Sequence, residues 1–280
     1  MSDTSVTYLE RTLTTHLPRG LAEAAICVLK IGWAALFGIM ILCAIIFTRV
    51  IWQDHWALAR YDALVVFAVV TQAIFIWRKL ETLEEAKVIL IFHISGTLME
   101  IFKLSQGSWD YPDQGILEVG GVPLFSGFMY ASVGSFIARS IRIFRMEFAP
   151  YPPFWITFIL AAAIYVNFYT LHYTYDIRWI LFAATLVLFL RTRIWFFIAK
   201  TPRWIPLPLG AFLSAILLWI AENVGTFTQT WTYAAQGDIG FVDASKFGSW
   251  YLLLYVSFVT VSLVVRDAMS PHPVSPREVD

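Results

Sequence analysis

Eight apolar runs dominate the pattern of hydrophobic and polar positions along the chain. They lie at approximately residues 24–48, 61–77, 86–103, 122–144, 154–171, 178–198, 206–224 and 248–265. A helix of about 20 apolar residues crosses a hydrocarbon core about 30 Å thick. The first run has no small-residue cleavage pattern and predicts a span, not a signal peptide. The pattern therefore predicts an all-α fold, a polytopic bundle of about eight transmembrane helices in a single membrane domain over residues 1–280.

The composition agrees with a membrane protein. Of the 280 residues, 59% are hydrophobic and 14% are charged, and the mean hydropathy is +0.67, whereas a soluble domain carries about 25% charged residues. This excludes an ordinary soluble globular protein. Because 20 basic and 20 acidic residues cancel, no overall field attracts nucleic acid, and we expect no nucleic-acid partner.

The lysines and arginines predict how the chain is threaded, because cytoplasmic loops collect positive charge. With both termini placed in the cytoplasm, fourteen of the 20 basic residues lie in cytoplasmic segments and five lie outside. Residues 1–23 then form a cytoplasmic segment, and residues 267–280 form a polar, disordered cytoplasmic tail. The longest connections, 104–121 and 225–247, lie outside and are rich in Gly, Trp, Tyr and acidic residues. We therefore expect function at the outer face.

An internal repeat relates the two long outer connections and the helices that precede them. In each half a glutamate is followed by Trp at plus nine and by Tyr at plus eleven. The matched residues are Glu100, Trp109 and Tyr111 in the first half, and Glu222, Trp231 and Tyr233 in the second. Two four-helix repeats, 24–144 and 154–265, would be parallel and related by an axis along the membrane normal. The alternative is coincidence in a chain that contains 12 Trp and 12 Tyr.

Three ionisable side chains inside the predicted spans are candidate catalytic residues. His93 and Glu100 lie on one face of the third span with Thr97 between them, and Glu222 takes the place of Glu100 in the second half. Ionisable groups in hydrocarbon are costly and usually face a bundle interior or a cavity. Two carboxylates at matching depth favour a proton donor and acceptor pair. The alternatives are two separate, solvated helix-end carboxylates and a His93 that hydrogen-bonds a backbone carbonyl.

Aromatic and polar residues near the outer ends of the spans are candidate substrate-binding residues. The aromatics of the repeat either anchor the loops at the headgroup level or offer their faces to a cationic ligand. The full set is Trp109, Tyr111, Trp231, Tyr233, Asn223, Asn167, His172 and Asp176. The sequence contains no zinc-ligand spacing, phosphate-binding glycine loop or nucleophile elbow. No metal site is predicted, and no cofactor is assigned.

Several segments resemble a known family. They are ETLEEAKVILIFHISGTLMEIFK, GSWDYP, GGVPLFSGFMYASVGSFIAR, AAAIYVNF and AENVGTFT. The resemblance is to an uncharacterised family of bacterial integral membrane proteins, domain of unknown function 817, and it extends over nearly the whole chain. It implies a multi-pass protein of the bacterial inner (cytoplasmic) membrane. It carries no known reaction and no assigned catalytic residues.

A weaker similarity, in pattern only, is to membrane carotenoid-modifying proteins of the lycopene cyclase domain and carotenoid hydratase types. In those proteins an aromatic-x-aromatic unit ends one helix and a proline leads the next, as Trp109, Tyr111 and Pro123 do here. The second half lacks the matching proline, and Leu-Phe-Ser at 124–126 replaces the paired acids of the cyclase type. The similarity therefore does not extend to the cyclase acids.

These observations favour an intramembrane enzyme that performs acid–base chemistry on an apolar lipid, with an isoprenoid as the expected ligand. Glu100 and Glu222 would act as proton donor and acceptor, His93 would tune them, and the repeat aromatics would shield a cationic intermediate. Burial favours the neutral form of a carboxyl and makes it a usable acid. The alternative is a proton-coupled transporter or channel for a small solute, because carriers also contain parallel repeats and intramembrane acids. A third interpretation is an assembly or sensory protein without chemistry, which would have no deep pocket at its outer face. The sequence does not predict the oligomeric state.

Overall fold

The computed structural model describes residues 3–53, 55–199, 201–233 and 241–272, and these residues are mostly helical. The described helices are α1 (Asp3–His16), α2 (Arg19–Ala34), α3 (Leu36–Ile51), α4 (Arg60–Trp77), α5 (Leu83–Ser105), α6 (Phe125–Ile143), α7 (Phe154–Thr170), α8 (Arg178–Phe189), α9 (Leu207–Phe227) and α10 (Ala244–Val264). The described strands are β1 (Glu118–Val119), β2 (Val122–Pro123), β3 (Glu147–Ala149), β4 (Arg193–Ile198) and β5 (Thr201–Pro206). The predicted helical character of the chain is confirmed.

Within the described part of the chain, four helices are long and apolar enough to cross a membrane, namely α4, α5, α9 and α10. The pair α2 and α3 would supply a fifth span, although the two helices meet at a bend of 69°. The helices α7 and α8 are apolar but shorter, with 17 and 12 residues. These features fit a membrane protein with four to five candidate spans, and the count of eight stays a prediction.

The first predicted span, 24–48, is not one continuous helix. The break between α2 and α3 lies at Ala35. Arg139 of α6 reaches this break, where its Nη2 donates a hydrogen bond to the Trp33 carbonyl at 2.8 Å. The Arg139 side chain is fully buried, and its Nη1 lies 3.6 Å from Glu81 Oε1. The apolar run in the sequence does not reveal this break, because the side chain that hydrogen-bonds the backbone there, Arg139, belongs to another helix.

A small antiparallel sheet, in the order β3-β4-β5, corrects the prediction of an all-α fold. The run predicted as a helix over 178–198 is helical only to Phe189, and it then forms β4. The chain turns after β4 through Ala199, whose φ is 51°, and β5 pairs with β4 along its whole length. The stretch Ile-Trp-Phe-Phe-Ile is aromatic and β-branched, which suits a strand. Periodicity does not distinguish helix from strand in a short apolar run.

The chain after α10 returns to this sheet. The Ser270 N–H donates to the Phe148 carbonyl of β3 at 3.0 Å, and the Tyr151 N–H donates to the Ser270 carbonyl at 2.7 Å. The segment 267–280 was predicted to be a disordered tail. Its beginning is hydrogen-bonded to β3, whereas residues 273–280 lie outside the described residues.

Glycines allow α5 and α6 to pack closely, and this packing places Tyr130 against α5. A Cβ at Gly96 would lie 2.6 Å from the Tyr130 side chain, and a Cβ at Gly134 would lie 2.7 Å from Phe92. Larger residues at these positions would force the helices apart, because packed interiors leave little free space. The helix α6 thereby occupies the middle of the bundle, in contact with α2, α3, α4, α5 and α10.

The described parts of the two long connections, 104–121 and 225–247, are packed into the bundle. Tyr111 is 9% exposed and Trp231 is 7% exposed, and both belong to an apolar cluster with Phe37, Tyr61 and Phe125. A side chain that only anchors a loop at the headgroup level would keep more of its surface exposed. These two aromatics instead form part of the protein interior, and they bring the ends of both long connections to the same place.

Candidate functional site

Glu100 is buried, and three aromatic side chains donate hydrogen bonds to its carboxylate. Trp109 Nε1 donates to Oε2 at 2.7 Å, and the Tyr111 hydroxyl donates to the same oxygen at 2.8 Å. The Tyr130 hydroxyl of α6 donates to Oε1 at 2.6 Å. Glu100 is 3% exposed, so these donors replace the water that a carboxylate otherwise needs. The carboxylate is therefore fixed in position by two residues of the connection after α5 and by one residue of α6.

Glu222 has the corresponding partners in the second half. Trp231 Nε1 donates to Glu222 Oε1 at 3.0 Å, and the Tyr233 hydroxyl donates to the same oxygen. Gly225 gives the indole room, because a Cβ at that position would lie 1.8 Å from Trp231 Cη2. The offsets of plus nine and plus eleven thus place the same pair of donors on each glutamate.

The Tyr111 and Tyr233 hydroxyls are held in their neutral form. Burial raises the pKa of each phenol well above its usual value, and the adjacent carboxylate, Glu100 or Glu222, adds to the effect. A neutral phenol has one O–H to donate, and in both residues the carboxylate receives it. The two tyrosines therefore position the glutamates and do not themselves give up a proton near neutral pH.

The two Trp-x-Tyr units are paired with each other. Their middle residues, Asp110 and Thr232, exchange two backbone hydrogen bonds, each 2.9 Å long. The Trp109 and Tyr233 rings meet edge to face with 5.9 Å between their centres. The alternative prediction, in which each glutamate is solvated at the end of its helix, does not agree with the structure, because Glu222 is only 5% exposed.

Two residues at the start of α4 hold the second unit in place. Arg60 Nη2 donates to the Thr230 hydroxyl at 2.9 Å, and the Tyr61 hydroxyl donates to the Thr230 carbonyl at 2.8 Å. Arg60 Nη1 also lies 2.9 Å from Asp113 Oδ2 in the first connection. The Arg60 side chain is buried, so it joins the two connections from inside the protein.

Both glutamates line one cavity of about 510 Å³. Its wall is mostly apolar and comes mainly from α3, α6, α9 and α10, with side chains such as Leu42, Leu217 and Leu253. The ionisable side chains on the wall, apart from tyrosines, are Glu100, Lys103, His172, Arg178, Glu222 and Lys246. An apolar cavity of this size with a few convergent polar groups is typical of a small-ligand site. The presence of this cavity disfavours the third interpretation, an assembly or sensory protein, because that interpretation predicts no deep pocket.

Two lysines lie on the cavity wall with the glutamates. Lys103 Nζ lies 3.0 Å from His172 Nε2, and Lys246 Nζ lies 4.1 Å from the centre of the Tyr233 ring. Partial desolvation and the charges of both lysines lower the pKa of His172. The imidazole is therefore neutral at neutral pH, and its Nε2 accepts a hydrogen bond from Lys103. Lys246 occupies the Tyr233 ring face that was predicted to shield a cationic intermediate.

His93 does not line the cavity. Its ring lies 4.4 Å from the Phe128 ring, centre to centre, and a Cβ at Gly127 would lie 2.5 Å from His93 Nδ1. Among the described residues, His93 Nδ1 and the buried Thr97 hydroxyl have no hydrogen-bond partner. His93 is thus covered by α6, and its predicted role as a partner of Glu100 has no direct contact to support it.

The polar candidates Asn167, Asp176 and Asn223 hold connections together and do not line the cavity. Asn167 Nδ2 donates to Asp176 Oδ1 at 3.2 Å, and Asn167 Oδ1 accepts from the Ile177 N–H at 3.1 Å. These bonds close the turn between α7 and α8. Asn223 Oδ1 accepts from the Val242 N–H at 2.9 Å, which fastens the chain before α10 to α9.

Tyr130, Lys103 and Lys246 are candidate site residues that the sequence reasoning missed. A signal existed for Lys103, which follows Glu100 by three positions on the same helix, but its charge was assigned to the outer segments. Tyr130 reaches Glu100 because Gly96 leaves space for it, and that contact between helices is not visible in the sequence. Within the described ranges, no group of three His, Cys, Asp or Glu side chains is arranged to hold a metal ion.

The fold and the cavity define a class of protein, a mostly helical protein whose apolar helices fit a membrane and whose cavity carries two buried carboxylates, each hydrogen-bonded by a Trp and a Tyr. The chain belongs to the family described as "Protein of unknown function (DUF817)", whose family model matches residues 24–258. A similar relative is the uncharacterised protein YoaT of Bacillus subtilis (strain 168). It is 38% identical over 240 residues, which cover 84% of this chain and 90% of the relative. No solved structure matches the chain. The resemblance of the sequence to this family is thereby confirmed.

Proposed function

We propose that the protein is an intramembrane enzyme that transfers protons to and from an apolar lipid held in the cavity. The observation that carries this proposal is that Glu100 and Glu222, each positioned by a Trp and a Tyr, line one mostly apolar cavity. A pair of carboxyls in such a site provides one proton donor and one proton acceptor. The apolar wall suits a hydrocarbon chain, because burying that chain removes apolar surface from water.

The simplest reaction for this arrangement is the migration of a carbon–carbon double bond. One carboxyl adds a proton to a trisubstituted double bond, which leaves a tertiary cation, and the other carboxylate removes a proton from the neighbouring carbon. Protons and bonds balance, and proton exchange with water resets the two carboxyls. Trp231 and Trp250 line the cavity, and aromatic side chains stabilise positive charge. Isoprenoids, whose chains carry such double bonds, are the lipid class that we propose.

We also propose the eight-span topology, with parallel repeats over 24–144 and 154–265 and both termini in the cytoplasm. Support for the repeat comes from the matched donors on the two glutamates and from the reciprocal pairing of Asp110 with Thr232. The excess of lysine and arginine in alternate loops supports the orientation. The apolar helices and the relative from Bacillus subtilis support a bacterial cytoplasmic (inner) membrane.

Mass spectrometry of copurifying lipids tests the proposed enzyme. The wild-type protein is compared with a Glu100→Gln/Glu222→Gln variant, and Glu118→Gln is the control because Glu118 is exposed in β1. Liquid chromatography separates double-bond isomers of equal mass. We expect one lipid to be retained by all three proteins, as two isomers with the wild type and the control and as one isomer with the double variant. Retention of bulk phospholipid alone would contradict the proposal.

A proton-coupled transporter is the second candidate, and the bend between α2 and α3 favours it. Ala35 at the bend, with Gly32 and Gly38 on either side, lines the cavity, and broken helices line the substrate sites of many transporters. Proteoliposomes with an internal pH dye and an imposed pH gradient separate the two candidates. A proton leak that the two glutamine substitutions abolish would support transport, whereas isomer formation without such a leak would support the enzyme.

A further inference from the structure

The lysines of the cavity form no salt bridge with the carboxylates that share it, although the charges of Lys246 and Glu222 attract each other at longer range. Lys103 is 3% exposed, Lys246 is half-buried, and within the described residues neither forms a salt bridge. Lys103 instead contacts the neutral His172, and Lys246 lies over the Tyr233 ring. A buried ammonium group is costly unless an anion compensates it. The site therefore favours an anionic ligand group.

The two glutamates are already committed to other partners. Glu100 accepts hydrogen bonds from Trp109, Tyr111 and Tyr130, and Glu222 accepts hydrogen bonds from a Trp and a Tyr of its own. These donors hold the carboxylates toward the outer connections. The ammonium groups keep donor capacity, because each has three N–H bonds. The glutamates and the lysines thus share the polar part of one wall, where Lys246 lies over the Tyr233 ring whose hydroxyl donates to Glu222.

Arg178 adds a third positive group. It lines the same cavity, and its Nε pairs with Asp176, so its charge is partly compensated. Lys103 and Lys246 remain the two principal cations, and the rest of the wall is mainly apolar side chains of α3, α9 and α10. The cavity therefore has a cationic region and a hydrocarbon region, which is the chemical pattern of an amphiphile with an acidic head.

We infer that Lys103 and Lys246 bind the oxyanion head, phosphate or carboxylate, of a single-chain amphiphile whose hydrocarbon chain occupies the apolar part of the cavity. This inference rests on the proposed function and names its substrate class. The lysine ammonium binds an oxyanion as a compact point charge. A volume of about 510 Å³ falls in the range of small-ligand sites and suits one chain. The head at the lysines places carbons of the chain beside Glu100 and Glu222.

A change in the intensity or the emission maximum of tryptophan fluorescence measures this binding, because Trp109, Trp231 and Trp250 line the cavity. The purified full chain in neutral detergent is titrated with dodecyl phosphate, dodecanoate, dodecanol and inorganic phosphate. We expect the two charged amphiphiles to bind at least about tenfold more tightly than dodecanol, since a hydrogen bond to a charged group is worth that much. The tighter of the two charged probes identifies the head. Dodecanol also controls for partitioning into micelles.

Matched substitutions assign the effect to the lysines. Lys103→Met and Lys246→Met should each weaken dodecyl phosphate binding by about tenfold to a hundredfold, with dodecanol unchanged. Lys87→Met is the control, because Lys87 is 64% exposed at the other end of α5. Lys103→Arg and Lys246→Arg keep the charge and should restore binding, which separates loss of charge from misfolding.

Three results would overturn the inference. The first is that dodecanol binds as tightly as dodecyl phosphate. The second is that a folded Lys→Met variant binds dodecyl phosphate as tightly as the wild type does. The third is that inorganic phosphate binds as tightly as dodecyl phosphate. The inference and the proposed enzyme can fail separately. A Glu100→Gln/Glu222→Gln variant that binds dodecyl phosphate supports the head site, whatever the isomer analysis shows.

Discussion

Replacing Gly225 with alanine tests whether Trp231 is held against Glu222 as the structure shows. The added Cβ would lie 1.8 Å from Trp231 Cη2 and 2.1 Å from Cζ2. The indole is 7% exposed, so the surrounding side chains leave it little space to shift. The ring has to leave its position, and its Nε1 then loses the hydrogen bond of 3.0 Å to the Glu222 carboxylate.

The expected cost has two parts. Overpacking of a filled interior costs about 1–3 kcal/mol, and loss of a hydrogen bond to a charged group costs about 1.5–3 kcal/mol. Together they lower the free energy of unfolding by about 3–5 kcal/mol. With about 2–4 °C per kcal/mol for a chain of comparable size, Gly225→Ala should lower the unfolding midpoint by about 6 °C or more.

The assay is the fraction of monodisperse protein that remains after heating in detergent, read by size-exclusion chromatography. Gly32→Ala is the matched control, because Gly32 is also helical and a Cβ there meets no atom within 4 Å. The double variant Gly225→Ala/Trp231→Leu should melt no lower than Trp231→Leu alone, since the leucine removes the clash. A Gly225→Ala protein that melts like the wild type, or additive losses in the double variant, would refute the reasoning.

Three further predictions follow from the same geometry. Tyr130→Phe removes one of three donors to Glu100 and should lower lipid turnover by about tenfold or more, measured as the rate of isomer formation. The pKa of His172 is lowered in the folded protein, so the unfolded chain binds a proton at a higher pH than the folded chain does. The free energy of unfolding should therefore fall as the pH falls through about 6.5. Thermal unfolding of His172→Gln, measured over the same pH range, should lack this part of the pH dependence. In a background without the native cysteines, a membrane-impermeant maleimide should label Glu118→Cys in intact cells and Lys87→Cys only after permeabilisation, and the reverse pattern would contradict the orientation.

The matched offsets of Trp and Tyr from Glu100 and Glu222 are visible in the sequence, and in the structure they correspond to matched hydrogen bonds. Each glutamate lies about one turn before the end of its helix, so nine to eleven residues suffice for the chain to leave the helix and fold back over it. This return depends on local chain length, which the sequence displays. Gly225 was a further local signal, because only glycine leaves room for the indole of Trp231.

Other parts of the site depend on contacts between distant segments. Lys103 meets His172 of the connection after α7, and Lys246 of α10 lies over Tyr233. Hydropathy and charge counting place such lysines at membrane boundaries and do not show which cavity they line. The break at Ala35 also depends on a contact between distant segments, because Arg139 reaches it from α6. The strand β4 was not predicted because its apolar run also suits a helix.

Incorporation of deuterium from D₂O into lipid carbon is the most direct measurement of the central claim, that Glu100 and Glu222 exchange protons with a bound lipid. Wild-type protein and the single variants Glu100→Gln and Glu222→Gln are placed in vesicles of bacterial lipid extract prepared in D₂O, and the lipids are analysed by mass spectrometry after back-exchange of O–H and N–H groups. We expect one lipid class to gain mass with the wild type and neither variant to support that gain. Absence of any gain with the wild type, or equal gain with the variants, would contradict the claim.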